Sequence, residues 1–158
     1  MSFGTGHHAT TYLMIAEMCT LNFNGKSVFD FGAGTGILSI LAEKLGASEV
    51  FSIDNDPLST ENFMENMEAN FCKKIFYTEK DMPPDNKKFD IIVANINKHI
   101  LQEFLPALSE ILNPKGQLLI SGILTTDVNV MIQEATKSGL KHLLTNVKDS
   151  WVFMSFFL

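Results

Sequence analysis

Three glycines at alternate positions close a short apolar run in this chain: Val28-Phe29-Asp30-Phe31-Gly32-Ala33-Gly34-Thr35-Gly36. The apolar part has the β-branched and aromatic character of a buried strand. The glycines allow tight turns and close backbone approach that a Cβ would forbid. Gly36 to Leu45 then has helical spacing and stops at Gly46, where a glycine just past a helix end is expected. A strand, a glycine loop and a helix in this order place the unpaired N–H groups of a helix N-terminus beside anything resting on the loop.

The same alternation continues along the chain. Ser27 to Phe31, Glu49 to Ile53, Lys74 to Thr78, Phe89 to Asn95 and Gln117 to Ser121 read as buried strands. Asp56-Pro57 supplies an N-cap and a first-turn proline for a helix to about Asn70. From Asn97 onward, Ile100, Leu101, Phe104, Leu105, Leu108, Ile111 and Leu112 share one helical face, with Pro106 expected to kink or break it. A further helix runs from Asp127 to Ser138 and ends at Gly139. Alternating strands and helices imply a mostly parallel sheet covered on both faces. Leu140 to Asn146 and Trp151 to Leu158 break the rhythm, because only four residues join them and an antiparallel hairpin follows. Both parities of the last run are apolar, so that strand is expected to be covered on both sides.

Of the 158 residues, 46% are hydrophobic, enough for one packed core without metals or disulfides. Cys19 and Cys72 have neither metal-ligand spacing nor disulfide density, and no metal site is expected. Twelve basic against eighteen acidic residues give a net charge of −6, which argues against nucleic-acid binding through phosphates and suits a basic partner. Without an apolar run of membrane-spanning length (~18 residues) or a secretion signal, a cytoplasmic protein is expected.

Spacing narrows the ligand. A dinucleotide loop needs glycine at the first, third and sixth positions, but the sixth position from Gly32 is Ile37. The third glycine is Gly36, giving Asp-x-Gly-x-Gly-x-Gly, and Asp30 ahead of it suits an ammonium-bearing ligand rather than a pyrophosphate. That favours S-adenosylmethionine. Asp54 ends the second strand, where a carboxylate accepts both ribose hydroxyls of a nucleoside. In Glu79-Lys80-Asp81, either Glu79 or Asp81 could receive an adenine amino group, and a solvated loop charge is the alternative for each. Asn95 ends the fourth strand, at the carboxyl edge where open sheets bind ligands. Its amide offers a carbonyl oxygen to an amine and an N–H to a cofactor. Ile96-Asn97 follows, so this is not the Asn-Pro-Pro-aromatic motif of enzymes that methylate adenine or glutamine amides.

With these residues in hand, the chain resembles the PrmA family, whose members methylate large-subunit ribosomal protein eleven. The most specific piece is Phe3-Gly4-Thr5-Gly6-His7-His8-Ala9-Thr10-Thr11, which fills every fixed position of the family's Phe-Gly-Thr-Gly-x-His-x-Thr-Thr segment. His7 falls on the variable position and His8 on the fixed one. Ile53-Asp54-Asn55-Asp56-Pro57, Val93-Ala94-Asn95-Ile96 and Ser121-Gly122-Ile123-Leu124 agree as well. The resemblance implies a Rossmann-like class I methyltransferase fold: a mostly parallel seven-stranded sheet, helices on both faces and an antiparallel C-terminal strand. It also implies that Thr11, Gly32, Asp54 and Asn95 contact S-adenosylmethionine while Gly34 and Gly36 shape the loop. Thr11 taken alone reads as an N-cap or a core-facing threonine.

The family carries a separate N-terminal domain that recognises the ribosomal protein. Here one catalytic domain over residues 1–158 is expected without it, either as a fragment or as a short relative. Methyl transfer to nitrogen needs a neutral amine held in line and shielded from water. Asn95 is expected to position that nitrogen, with His8 as the proton-handling residue or, alternatively, a loop anchor. The expected substrate is a lysine or N-terminal amine of a ribosomal protein. The competing readings are a stand-alone methyltransferase acting on a small molecule or nucleic acid, and a cofactor-binding module inactive without its substrate domain.

Overall fold

A computed structural model describes residues 8–158. The helices are α1 (Ala9–Met18), α2 (Ile37–Lys44), α3 (Pro57–Ala69), α4 (Lys98–Glu110) and α5 (Val128–Lys137). The strands are β1 (Ser27–Phe31), β2 (Glu49–Asp54), β3 (Ile75–Glu79), β4 (Phe89–Asn95), β5 (Leu112–Leu124), β6 (Lys141–Lys148) and β7 (Trp151–Phe157). They form one seven-stranded sheet in the order β3-β2-β1-β4-β5-β7-β6. The pairs from β3 through β5 are parallel, and β7 lies antiparallel between β5 and β6. The expected fold is therefore present, and the hairpin's return strand is inserted into the sheet rather than added at its edge.

Strand alternation divides the core in two. Val28, Val50, Ile91, Val93 and Phe153 face one side, under α1 and α2 through Leu13, Met14, Leu38 and Ala42. Phe29, Ile92, Ala94, Leu118, Met154 and Phe156 face the other, under α4 and α5 through Leu101, Leu105, Met131 and Ala135. Because Phe153 and Met154 belong to opposite layers, β7 is buried on both faces, as its composition requires.

Two expectations change. Pro106 neither ends nor divides α4, which continues through it to Glu110. Pro106 lies on the exposed side of the helix, so the carbonyl its ring deprives of a partner is close to water. The fifth strand is also longer than its apolar stretch, running from Leu112 to Leu124 with a register shift between Ser121 and Ile123. α1 stands apart, because the periodicity of the chain singles out no helix there. Among the described residues no helix is long and apolar enough to cross a membrane.

Candidate functional site

At the carboxyl edge of the parallel strands, the ends of β1, β2 and β4 surround a cavity of about 570 Å³, a volume suited to a small molecule. The β1–α2 loop forms its floor. Gly32, Gly34 and Gly36 all adopt positive φ, and the Gly32 and Ala33 amides both donate to Ile53 O at 2.9 Å, curling the loop over the end of β2. A Cβ on Gly32 would lie 2.4 Å from Ile96 Cγ2, so this glycine lets β4 approach the loop. A Cβ on Gly36 would lie 2.8 Å from the Phe63 ring of α3.

Asp54 ties this loop to the next helix. One carboxylate oxygen accepts the Gly34 amide at 2.7 Å and the other the Asp56 amide at 2.8 Å. Each oxygen retains lone-pair capacity toward the cavity, which Asp54 lines. Asp56 caps α3 by accepting the Leu58 amide at 3.0 Å, so the two aspartates divide the capping and cavity-facing tasks as their positions suggested. Of the two acidic candidates after β3, Asp81 lines the cavity, whereas Glu79 accepts a hydrogen bond from the Thr60 hydroxyl at 3.3 Å and does not line it.

Asp30 departs from the expected ligand contact. Strand alternation turns it to the α2 side with Val28, where it is 1% exposed and absent from the cavity wall. Its Oδ2 accepts the Ser39 hydroxyl at 2.5 Å, and Ser39 Oγ is 2.8 Å from Ser52 Oγ. Burial pushes the Asp30 carboxyl up to about 7, against the lowering effect of the Ser39 bond and with a smaller upward contribution from Asp54. Asp30 therefore braces the loop from beneath.

Across the cavity, Asn95 ends β4 and His8 caps α1, and both line the wall. Thr11 does not; it is 1% exposed and accepts the Asn95 Nδ2 hydrogen bond at 3.3 Å. His8 Nδ1 accepts the Thr10 amide at 3.3 Å and lies 2.8 Å from Thr10 Oγ1. His8 Nδ1 is therefore engaged at the helix cap. The His8 ring also meets Trp151 edge to face, with centroids 5.2 Å apart. Phe3 to His7, the rest of the family-specific segment, lie outside the described residues.

Several wall residues carried no sequence signal. Trp151 reaches the cavity because β7 is antiparallel, so its first residue sits at the carboxyl edge of the parallel strands. Ile96, Ile100 and Phe104 add an apolar surface to the cavity lining, with Phe104 edge-on to Phe31, ring centroids 5.1 Å apart. Their apolar spacing in the sequence spoke only for a core-facing helix. No group of three or more His, Cys, Asp or Glu among the described residues is arranged to hold a metal ion.

Comparison with known proteins places this geometry. A family model described as "Ribosomal protein L11 methyltransferase (PrmA)" matches residues 1–157. A ribosomal protein L11 methyltransferase of Porphyromonas gingivalis is 40% identical over 158 residues, covering 99% of this chain and 54% of the relative. One of Bacteroides fragilis is 37% identical over 160 residues, covering 100% of this chain and 57% of the relative. The chain thus spans about half the length of these relatives. Among solved structures, a ribosomal protein L11 methylase from Lactobacillus delbrueckii subsp. bulgaricus superposes with a TM-score of 0.91 at 31% identity, covering 99% of this chain and 80% of that one.

Proposed function

The chain belongs to the ribosomal protein L11 methyltransferase family, and from that premise we propose that it is an S-adenosylmethionine-dependent protein N-methyltransferase domain acting on an amine of a large-subunit ribosomal protein. The observation that carries the reading is the convergence of Gly32, Gly34, Asp54 and Asn95 on one cavity at the carboxyl edge of the sheet. The donor set fits the cofactor. Asp54 offers carboxylate oxygens to a ribose diol, Asp81 an acceptor to an amino group, and Ile96, Ile100 and Phe104 an apolar surface. The glycine loop keeps side chains away from the floor.

S-adenosylmethionine supplies an electrophilic methyl group when bound. The chain's own residues position the acceptor and keep water away. Asn95 accepts a hydrogen bond from the target nitrogen and orients its lone pair, while the His8–Trp151 pair walls that side of the cavity. A lysine ammonium has a reference pKa of about 10.4, so it must lose a proton before it can act as a nucleophile. The apolar wall favours the neutral amine. The cap geometry supports an anchoring role for His8 in place of proton transfer.

The test is transfer of labelled methyl from S-adenosylmethionine to unmodified large-subunit ribosomal protein eleven. Label in that protein is expected, and none with this chain, alone or supplemented with the N-terminal part that its relatives carry, would overturn the reading. One observation favours a second reading: the chain spans about half of its relatives' length. On that reading it binds the cofactor but methylates only when the remainder of the family's architecture is supplied.

A further inference from the structure

The Asn95 side chain has two chemically opposite ends, an amide NH₂ that donates and a carbonyl oxygen that accepts. Nothing in β4 itself chooses which end faces the cavity. α1 packs on the same face of the sheet as Ile91 and Val93 and therefore meets Asn95, two residues further along. There Asn95 Nδ2 donates to Thr11 Oγ1 at 3.3 Å. Thr11 is 1% exposed and outside the cavity wall, whereas Asn95 is half-buried and part of it. Its neighbour Thr10 has a different task, with its hydroxyl 2.8 Å from His8 Nδ1 at the helix cap.

We propose that Thr11 is a positioning residue that fixes the Asn95 amide through Nδ2, so that Oδ1 is the atom presented to the target. This rests on the functional reading above and deepens it. An Asn95 held this way recognises a group that brings an N–H, as an amine does. One Nδ2–H is engaged by Thr11, and the second is the only donor left to a carbonyl or an oxyanion. The first turn of α1 thus sets the chemical class of the acceptor from behind the cavity.

Thr11→Val keeps the shape but removes the hydrogen-bond acceptor, whereas Thr11→Ser keeps it. The first readout needs neither cofactor nor substrate: the Asn95 side-chain amide resonances in ¹⁵N–¹H spectra, assigned with Asn95→Asp. Thr11→Val is expected to shift them and to speed their solvent exchange by about two- to tenfold, the change expected when one part-buried hydrogen bond is removed. Thr11→Ser is expected to match the wild type. The second readout is methyl transfer at saturating S-adenosylmethionine. Displacing a positioned group costs on the order of 10²-fold in rate, so a fall of about 10- to 100-fold is expected in Thr11→Val, with recovery in Thr11→Ser.

Unchanged Asn95 resonances in Thr11→Val would overturn the proposal, whatever the activity. So would a Val variant whose only defect is weaker cofactor binding, with the saturated rate intact. A wild-type chain with the expected resonance behaviour but no methyl transfer, alone or supplemented with the N-terminal part that its relatives carry, would count against the functional reading and leave the Thr11–Asn95 bond standing.

Discussion

Replacing Asp30 by Asn removes a buried carboxyl without changing its shape, and the structure fixes how the effect depends on pH. Asp30 is 1% exposed, its acceptor needs are partly met by Ser39, and burial raises its pKa from 3.8 to about 7. Between these values the folded chain binds a proton that the unfolded chain releases, so stability falls as pH rises through that window and levels off above it. At ~1.4 kcal/mol per pH unit, the raised affinity corresponds to roughly 4 kcal/mol of stability present near pH 4 and lost by pH 8. Asp30→Asn has no such loss. Urea unfolding of both proteins at pH 4, 6 and 8 should therefore show the variant gaining on the wild type by about 4 kcal/mol across the range. A difference constant within ~1 kcal/mol, or one that moves in the wild type's favour as pH rises, would refute the assignment of Asp30 as a buried carboxyl protonated on folding.

Other substitutions probe the frame around the cavity. Gly122 has φ +94°, and a Cβ there would lie 2.1 Å from Ile96 O, so Gly122→Ala should cost about 2–4 kcal/mol in urea unfolding; a loss under ~1 kcal/mol would mean that the β4–β5 contact yields freely. Pro106 lies on the exposed side of α4, and Pro106→Ala should raise stability by about 1–3 kcal/mol by restoring a helical hydrogen bond, read as a higher melting temperature. His8→Ala should cost about 1 kcal/mol as a lost N-cap while the pH profile of methyl transfer stays in place. A profile displaced by that change would return His8 to proton transfer.

Much of the frame was legible because it follows from chain-local physics. Strand and helix periods, Asp56-Pro57 at the start of α3 and the glycines past α2 and α5 each state their conformation in a few residues. The four-residue link before Trp151 announced the hairpin, but its place between β5 and β6 depends on which edge was left unpaired. Of the kink or break expected at Pro106, the break does not occur, because the packing of Leu101, Leu105 and Leu108 holds α4 together around a residue that propensity penalises. Asp30 misled for a separate reason. Its place in the glycine motif suggested a ligand, but strand parity gives the side chain to α2, and only the observed alternation of Val28 and Phe29 between the two core layers settles that parity. Trp151, Phe104 and the Thr11–Asn95 bond join residues far apart in the chain, and the bond alone spans 84 positions. Their meeting is a property of the sheet order, which no local pattern contains.

The claim that S-adenosylmethionine occupies the cavity floored by the glycine loop is tested most directly by isothermal titration calorimetry of the wild type and Asp54→Ala, with circular dichroism checking that both are folded. Hydrogen bonds from two ribose hydroxyls to a carboxylate contribute about 1.5–3 kcal/mol each, so losing both corresponds to a weakening of at least about a hundredfold. One-to-one binding to the wild type and that weakening in the variant are expected. Absence of binding to the folded wild type, or the same dissociation constant in both proteins, would contradict that claim.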